Sequence, residues 1–197
     1  MAEIKDVVLR IHRIMEKIDM KYVIVGGFAA IIMGEPRSTS DIDLIIEKDI
    51  EKINKLLSLL EENDFGVMYN QIKMAFRENS NASIFDIKSI LRLDLKIATR
   101  KDEIRVLNTA QTVEYQHEKI KIASLEEILY GKILYMGDIS DLEQREFLEY
   151  NDIRDFLNVY KQNKGNINMN WLEEKVKEKG LKNTFSRLIK FLETHQI

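Results

Sequence analysis

Several residue types are absent from this sequence or rare in it, and each absence excludes a class of structure or site. It contains no cysteine among its 197 residues, which excludes a disulfide scaffold and thiolate zinc sites. Its single proline and eight glycines leave no flexible linker between two modules. The three histidines are far apart in the sequence, so we expect neither a histidine metal site nor a Ser-His-Asp triad. A chain that is 45% hydrophobic and 32% charged is typical of a globular protein with a sizeable core.

The sequence also lacks a strong charge of one sign and a long apolar run. Its 30 basic and 33 acidic residues give a net charge of −3, so no overall positive field attracts nucleic acid, although a local basic patch remains possible. No apolar run approaches the roughly 20 residues of a membrane span. Glu3 and Asp6 have the wrong charge for the start of a signal peptide. We therefore expect a cytoplasmic protein without a membrane partner.

One stretch of the sequence, residues 22–47, combines signals that belong together. Residues 22–25 are a β-branched and aromatic run that ends at Gly26 and Gly27, and residues 28–33 favour a short helix. The following strand carries Asp41 and Asp43, which alternation places on one face. Adjacent carboxylates repel unless a cation lies between them, and a divalent metal ion is the usual solution.

This pattern of a Gly-Gly pair, a short helix and an Asp-x-Asp strand resembles the nucleotidyltransferase superfamily with the DNA-polymerase-β-like palm. The fuller string is most similar to the AbiEii-type toxin and minimal nucleotidyltransferase branches, and it comprises Gly26, Gly27, Ala29, Arg37, Thr39, Asp41 and Asp43. The resemblance implies an α+β fold in which a palm with a mixed sheet and flanking helices precedes a C-terminal helical bundle.

The resemblance also implies a third carboxylate on a later strand. Leucines alternate with Arg92, Asp94 and Lys96, so one face of that segment is apolar and the other is charged. A solvent-facing strand would show the same alternation. By resemblance, Asp94 is the third carboxylate, and Asp86 is the second choice.

The chemistry implied by the resemblance is Mg²⁺-dependent transfer of a nucleoside monophosphate from an NTP to an acceptor hydroxyl. Two Mg²⁺ ions would be held by Asp41, Asp43 and Asp94. Asp41 and Asp43 would hold the metal ions that carry the triphosphate, and Asp94 would complete the catalytic metal site and receive the acceptor's proton. Gly26 and Gly27 would form a backbone cradle for the phosphates.

Several polar residues are candidates for nucleotide binding by position. Arg37 lies in the loop before Asp41, where its planar guanidinium suits phosphate oxygens, unless it is a solvated loop arginine. Thr39 and Ser40 either bind phosphate or turn the loop. Lys96 either pairs with Asp94 or reaches a phosphate.

The resemblance assigns two further nucleotide-binding residues in the helical part of the chain. By carry-over, Lys132 reaches the nucleotide and Asp152 orients it, with Asp155 as a further possibility. Asn151 stands where the family usually has a basic residue. An ion pair between the helices that carry Lys132 and Asp152 is an alternative.

The remaining periodicities predict the other elements and a domain boundary near residue 123. Helices are predicted over residues 2–19, 49–63, 124–136, 141–162, 171–179 and 182–194. Strands are predicted over residues 67–77, 83–98, 104–107 and 119–122, with a turn at 79–81 joining the first two. We therefore predict a palm domain over residues 1–123 and a helical domain over residues 124–197.

The acceptor and the biological partner follow only from the resemblance. Members of the superfamily modify tRNA ends, antibiotics or protein side chains. We expect tRNA or a protein as the acceptor, with a cognate toxin or antitoxin as a possible partner in a toxin-antitoxin system. The alternative is a catalytically silent antitoxin, or a partner-binding module, that keeps the fold.

Overall fold

A computed structural model describes residues 3–194 and contains a seven-stranded mixed sheet. The strands lie in the order β3-β4-β5-β2-β1-β7-β6. Their bounds are β1 Tyr22–Val25, β2 Asp41–Ile46, β3 Phe65–Gly66, β4 Ala82–Asp86, β5 Arg92–Ile97, β6 Gln111–Tyr115 and β7 Glu118–Ile122. β2 is antiparallel to β1 and parallel to β5.

Ten α-helices accompany the sheet within residues 3–194, with a 3₁₀ turn at Lys164–Asn166. Their bounds are α1 Ile4–Lys17, α2 Gly26–Ile32, α3 Ile50–Glu62, α4 Tyr69–Arg77, α5 Lys101–Asn108, α6 Leu125–Met136, α7 Gln144–Phe147, α8 Asn151–Asn163, α9 Met169–Glu178 and α10 Lys182–Thr194. No helix in this part of the chain combines the length and apolarity needed to cross a membrane.

Alternation along β2 and β5 separates an apolar face of the sheet from a charged one. Ile42, Leu44, Leu93 and Leu95 are at most 1% exposed, and burying a side chain of this size stabilises the fold by roughly 1.5–3 kcal/mol. α1 lies on this apolar face, since its His12 contacts the hydroxyl of Tyr22, 2.8 Å away. The charged face is left to Asp41, Asp43, Arg92, Asp94 and Lys96.

The chain divides into two compact units. Of the described residues, 3–28 and 39–124 form the first unit, and 29–38 and 125–194 form the second. The boundary between them passes through α2. The domain division at residues 123 and 124 stays a prediction, and it did not anticipate that residues 29–38 group with the C-terminal helices.

The C-terminal helices of the second unit pack in a connected series. α6 packs on α8 and α9, and α10 packs on α9 and α8. α6 is apolar around most of its circumference, which suits a helix with neighbours on two sides. The buried residues between them include Leu129, Ile133, Phe156, Leu172 and Leu188. The predicted α+β class, with a mixed sheet and C-terminal helices, is confirmed.

Two segments predicted as strands are helices. Residues 69–77 form α4, in which Tyr69, Ile72 and Phe76 recur at helical rather than alternating spacing. Residues 101–108 form α5, which begins where the Glu103 side chain accepts hydrogen bonds from the backbone N–H groups of Thr99 and Arg100, each 2.9 Å long. Both helices are short, and a short segment contains too few apolar residues to distinguish helical spacing from the alternation of a strand.

Other predicted elements exist but have different limits. The single strand predicted over 83–98 is a hairpin of β4 and β5, so the turn at residues 79–81 follows a helix instead of joining two strands. The helix predicted over 141–162 is interrupted between α7 and α8. α9 begins earlier than the predicted residue 171, because Asn168 caps it: the Asn168 side chain accepts the Trp171 N–H at 3.1 Å. Strand β6 occupies residues that the sequence had left unassigned.

Candidate active site

The pairing of β2 with β5 brings acidic residues from separate parts of the chain into neighbouring positions. In this parallel register Asp43 lies opposite Asp94, and Asp41 lies opposite Arg92. Like charges directly across two strands are destabilising, so a sheet tolerates the Asp43–Asp94 pair only with compensation nearby. We define Asp41, Asp43 and Asp94 as the carboxylate cluster.

Gly26 lies against the carboxylate cluster because β1 and β2 pair in a register that sets Val25 opposite Asp43. Gly26 has a φ of +66°, a conformation that L side chains rarely adopt. A Cβ atom at this position would lie 2.0 Å from Oδ2 of Asp43. The glycine therefore serves two purposes: it permits the turn from β1 into α2, and it leaves room for the Asp43 carboxylate.

Hydroxyl groups orient two of the three carboxylates. Ser40 Oγ donates to Oδ1 of Asp41 at 2.8 Å, and Ser83 Oγ donates to Oδ1 of Asp94 at 2.5 Å. Thr39 bonds the backbone of Asp41 with its hydroxyl, at 3.3 and 3.4 Å. In this structure Thr39 turns the loop, while Ser40 supports a cluster residue. Phosphate binding by either residue stays a prediction.

Arg92 is the residue of this site that the sequence reasoning missed. Its Nη2 atom lies 3.0 Å from Oδ2 of Asp94 and 3.4 Å from Oδ2 of Asp41. The sequence shows Arg92 two positions before Asp94, and therefore on the same face of a strand. That signal was present, but its bridge to Asp41 depends on the register of β2 with β5.

The donor atoms of the carboxylate cluster are of the kind that Mg²⁺ prefers, namely carboxylate oxygens on rigid strands. Within residues 3–194, however, no group of three or more acidic, histidine or cysteine side chains has the arrangement of a formed metal site. The Arg92 guanidinium lies between two of the carboxylates and supplies positive charge there. The chemical type of the donors fits the metal, and the metal-ligand roles of Asp41, Asp43 and Asp94 stay predictions.

Two other candidates on the sheet have structural partners. Lys96 pairs with Glu103, at 2.9 Å between Nζ and Oε1, and not with Asp94 as one alternative had it. Asp86 is 3% exposed, points to the apolar face and pairs with Arg10 of α1. Asp94 is therefore the carboxylate that lies beside Asp43, and Asp86 is not.

The second unit contains a cluster of charged side chains around Asp155, which is completely buried. Arg37 holds Asp155 with two hydrogen bonds, from Nε at 2.8 Å and from Nη2 at 3.1 Å. Lys132 Nζ lies 2.5 Å from Asp155 and 2.9 Å from Asp152. The ion pair proposed as the alternative for Lys132 and Asp152 is present, and Arg37 is not a merely solvated loop residue.

These contacts determine the charge states of the two cations. The hydrogen bonds to Asp155 raise the pKa of Arg37, although its partial burial acts in the opposite direction. Burial lowers the pKa of Lys132, but the hydrogen bonds to Asp155 and Asp152 outweigh it, so the pKa lies above its ordinary value. Lys132 is therefore a charged ammonium at neutral pH. Nucleotide binding by Lys132, Asp152 and Arg37 stays a prediction.

Residues 2–93 match the model of a family described as "Nucleotidyltransferase of unknown function (DUF6036)". The match contains Gly26, Gly27, Asp41 and Asp43 and ends one residue before Asp94. No match was found among curated proteins. The more specific assignment to the AbiEii-type branch stays a prediction.

The chain is similar in fold to several solved structures. The antibiotic-resistance factor ANT(2'')-Ia is 14% identical, with 98% of this chain and 96% of that one covered and a TM-score of 0.57. An antigenic nucleotidyltransferase-like protein from Paracoccidioides brasiliensis is 20% identical, with 94% and 91% covered and a TM-score of 0.55. The lincosamide antibiotic adenylyltransferase LnuA is 16% identical, with 82% and 98% covered and a TM-score of 0.52. The chain therefore shares the fold of these proteins, and its residues 2–93 match a nucleotidyltransferase family model.

Proposed function

We propose that this protein is a Mg²⁺-dependent nucleotidyltransferase that moves a nucleoside monophosphate from an NTP to a hydroxyl group of an acceptor. The observation that carries the proposal is the position of Asp94 opposite Asp43 on adjacent parallel strands, with Asp41 on the same face. A sheet gains no stability from such a row of like charges. Its presence beside a glycine turn supports a site that binds a cation and a phosphate chain.

In this proposal the residues of the carboxylate cluster have separate roles. Asp41 and Asp43, two positions apart on β2, hold the cation that carries the triphosphate. Asp94 on β5 completes the site on the acceptor side and accepts the proton of the attacking hydroxyl. When bound, Mg²⁺ would lower the pKa of that hydroxyl and neutralise the charge of the pyrophosphate leaving group.

The residues around the cluster support the same chemistry. Ser40 and Ser83 keep one oxygen of Asp41 and one of Asp94 in hydrogen bonds, which fixes the carboxylate planes. Gly26 places backbone without a side chain next to Asp43, and Gly27 follows it in the first turn of α2. Backbone without side chains lets a phosphate group approach closely. Positioning of this kind is the main contribution a protein makes to phosphoryl transfer.

The acceptor is proposed by class. We keep tRNA or a protein, within a toxin-antitoxin system, as one proposal. A small hydroxylated molecule is the second candidate, because proteins of the same fold and size are an antibiotic-resistance factor and a lincosamide antibiotic adenylyltransferase. The net charge of −3 gives no general electrostatic attraction to a polyanion such as tRNA, so it does not favour tRNA over the other acceptors.

Calorimetric titration of each NTP, with and without Mg²⁺, tests the proposal without knowledge of the acceptor. We expect Mg²⁺-dependent binding of one NTP, and loss of that binding in the Asp41→Asn/Asp43→Asn double variant. Glu114→Gln is the matched control, because Glu114 is an exposed carboxylate of the same sheet on β6, remote in strand order from the cluster. It should bind the NTP like the wild type.

The NTP that binds is then labelled at its α-phosphate. The protein is incubated with this labelled NTP and, in separate reactions, with tRNA, with protein and with hydroxylated antibiotics. Transfer of label to one of these names the acceptor class. If the wild-type protein binds no NTP in any condition, the catalytic proposal is wrong. The alternative, a silent antitoxin or partner-binding module with this fold, would then be preferred.

A further inference from the structure

We propose that Arg92 is the internal counter-cation of the carboxylate cluster and competes with a divalent cation for Asp41 and Asp94. The inference rests on the proposed function in one respect, namely that the three aspartates are the cation site. It adds a residue that controls when that site is available. Arg92 lies on β5 directly opposite Asp41 and two residues before Asp94.

The geometry is that of one cation shared between two anions. The Nη2 atom of Arg92 contacts Oδ2 of both carboxylates, at 3.0 Å for Asp94 and 3.4 Å for Asp41. These are also the two carboxylates whose Oδ1 atoms accept hydrogen bonds from serines. In each carboxylate the serine therefore contacts Oδ1 and the guanidinium contacts Oδ2, so both Oδ2 atoms face the same positive charge.

Electrostatics explains why such a counter-cation is needed. Without one, three carboxylates on one face of two strands repel each other and disfavour the pairing of β2 with β5. A guanidinium is a permanent cation whose charge needs no proton uptake, so it can keep the strands paired while no metal ion is present. A divalent cation in the same cluster makes the arginine unnecessary and is repelled by it.

The arginine is held, but not fully satisfied, in this position. Its Nε atom is buried and has no hydrogen-bond partner within the described part of the chain. The contact with Asp41 is longer than an ordinary charge-assisted hydrogen bond, for which 2.7–2.9 Å is typical. A buried donor without a partner is unfavourable, so a cation that releases Arg92 also removes that penalty. Both features favour exchange of the arginine for a metal ion.

Binding of Mn²⁺ alone, without nucleotide or acceptor, tests the competition. We expect Arg92→Gln to bind Mn²⁺ roughly tenfold more tightly than the wild type, because a charge within about 4 Å of the site is removed. Without metal, this variant should melt at a lower temperature, and Mn²⁺ should recover the difference. Equal Mn²⁺ affinity in the variant and the wild type would overturn the proposal.

Three further variants separate the possible causes. Lys121→Gln removes one positive charge from β7 of the same sheet, where Lys121 bonds Thr112, and should leave Mn²⁺ affinity unchanged. Arg92→Lys keeps the charge but lacks the fork that spans two carboxylates, so its affinity should lie between those of wild type and Arg92→Gln. If Arg92→Gln does not fold without metal, this variant decides the matter by the same comparison. Adding Asp94→Asn to Arg92→Gln should abolish the gain.

The outcome also distinguishes this inference from the proposed function. Mn²⁺ binding by the wild type with no change in the Arg92 variants contradicts the role of Arg92 and leaves the cation site intact. An absence of Mn²⁺ binding in both wild type and Arg92→Gln contradicts the cation site itself, and with it both proposals.

Discussion

The carboxylate of Asp43 fills the space that a side chain at Gly26 would need: a Cβ atom on the glycine would lie 2.0 Å from Oδ2 of the aspartate. The antiparallel register of β1 with β2 produces this proximity. The relationship joins the two most local features of the motif, the glycine turn and the Asp-x-Asp strand, into one arrangement. A change at the glycine therefore acts on the carboxylate.

Gly26→Ala should displace the Asp43 carboxylate and abolish Mg²⁺-dependent nucleotide binding. The φ of +66° adds backbone strain of roughly 1–2 kcal/mol for a residue with a Cβ. Gly165→Ala is the control, because a Cβ there meets no atom within 4 Å, and it should leave binding unchanged. Calorimetric titration and thermal melting measure both effects. Wild-type nucleotide affinity in Gly26→Ala would contradict a role for Asp43 in the site.

Asp43→Asn should reduce nucleotidyl transfer at least about a thousandfold while the free energy of unfolding changes by less than about 1 kcal/mol. The substitution keeps the shape of the side chain and removes one member of the like-charged pair with Asp94. Single-turnover assays and urea denaturation are the measurements. A large fall in stability with activity retained would make the cluster structural.

Asp155→Asn should destabilise the protein by roughly 3–5 kcal/mol, because it removes the buried negative charge that pairs with both Arg37 and the buried Lys132. Asp152→Asn is the matched control. Asp152 is partly exposed where it pairs with Lys132, so the loss should stay below about 1 kcal/mol. Urea denaturation compares the two variants, and equal losses would contradict a special role for burial at Asp155.

Lys132→Gln tests whether the charged side chains around Asp155 bind the nucleotide. If the carry-over from the family is right, the variant should bind the NTP at least about tenfold more weakly than wild type, since a charge-assisted contact to phosphate is worth about 1.5–3 kcal/mol. The measurement is the same titration with Mg²⁺. Unchanged affinity, together with reduced stability, would assign Lys132 to the ion pairs with Asp152 and Asp155 alone.

Glu103 should make the stability of the protein dependent on pH in acid. Its burial raises its pKa, but hydrogen bonds from Lys96 and from the backbone of Arg100 and Thr99 outweigh this and lower the pKa from 4.5 to about 2. The stabilisation is therefore complete above pH 4.5 and is lost as the pH falls toward 2. At roughly 1.4 kcal/mol per pKa unit, this amounts to a few kcal/mol.

Urea denaturation of wild type and Glu103→Gln between pH 2.5 and 7 measures this contribution. The variant should be less stable at neutral pH, and the difference should shrink as the pH falls below the ordinary pKa of a glutamate. A difference that is constant over the whole range would show that Glu103 acts through packing rather than through its charge.

Much of the site could be predicted from the sequence because its signals are local. Gly26 and Gly27 at the end of an apolar run, and Asp41 and Asp43 at alternating positions, follow from the geometry of a turn and a strand. The type of fold followed from resemblance to a superfamily. Residues 69–77 and 101–108 were wrongly predicted as strands, because each segment has too few apolar residues to distinguish helical spacing from strand alternation. In addition, the start of the second helix depends on a side-chain contact of Glu103, which periodicity does not show.

The sequence by itself determined the order of the motif, the two carboxylates on one face of β2 and the alternation that sets Asp94 and Arg92 on one face of β5. The tertiary structure alone decided that β5 pairs with β2 in a register that sets Asp94 opposite Asp43 and Arg92 opposite Asp41. It also decided that Arg37 and Lys132 meet at Asp155. The physical reason is that strand register and buried ion pairs arise from contacts between distant segments, which leave no signal within either segment.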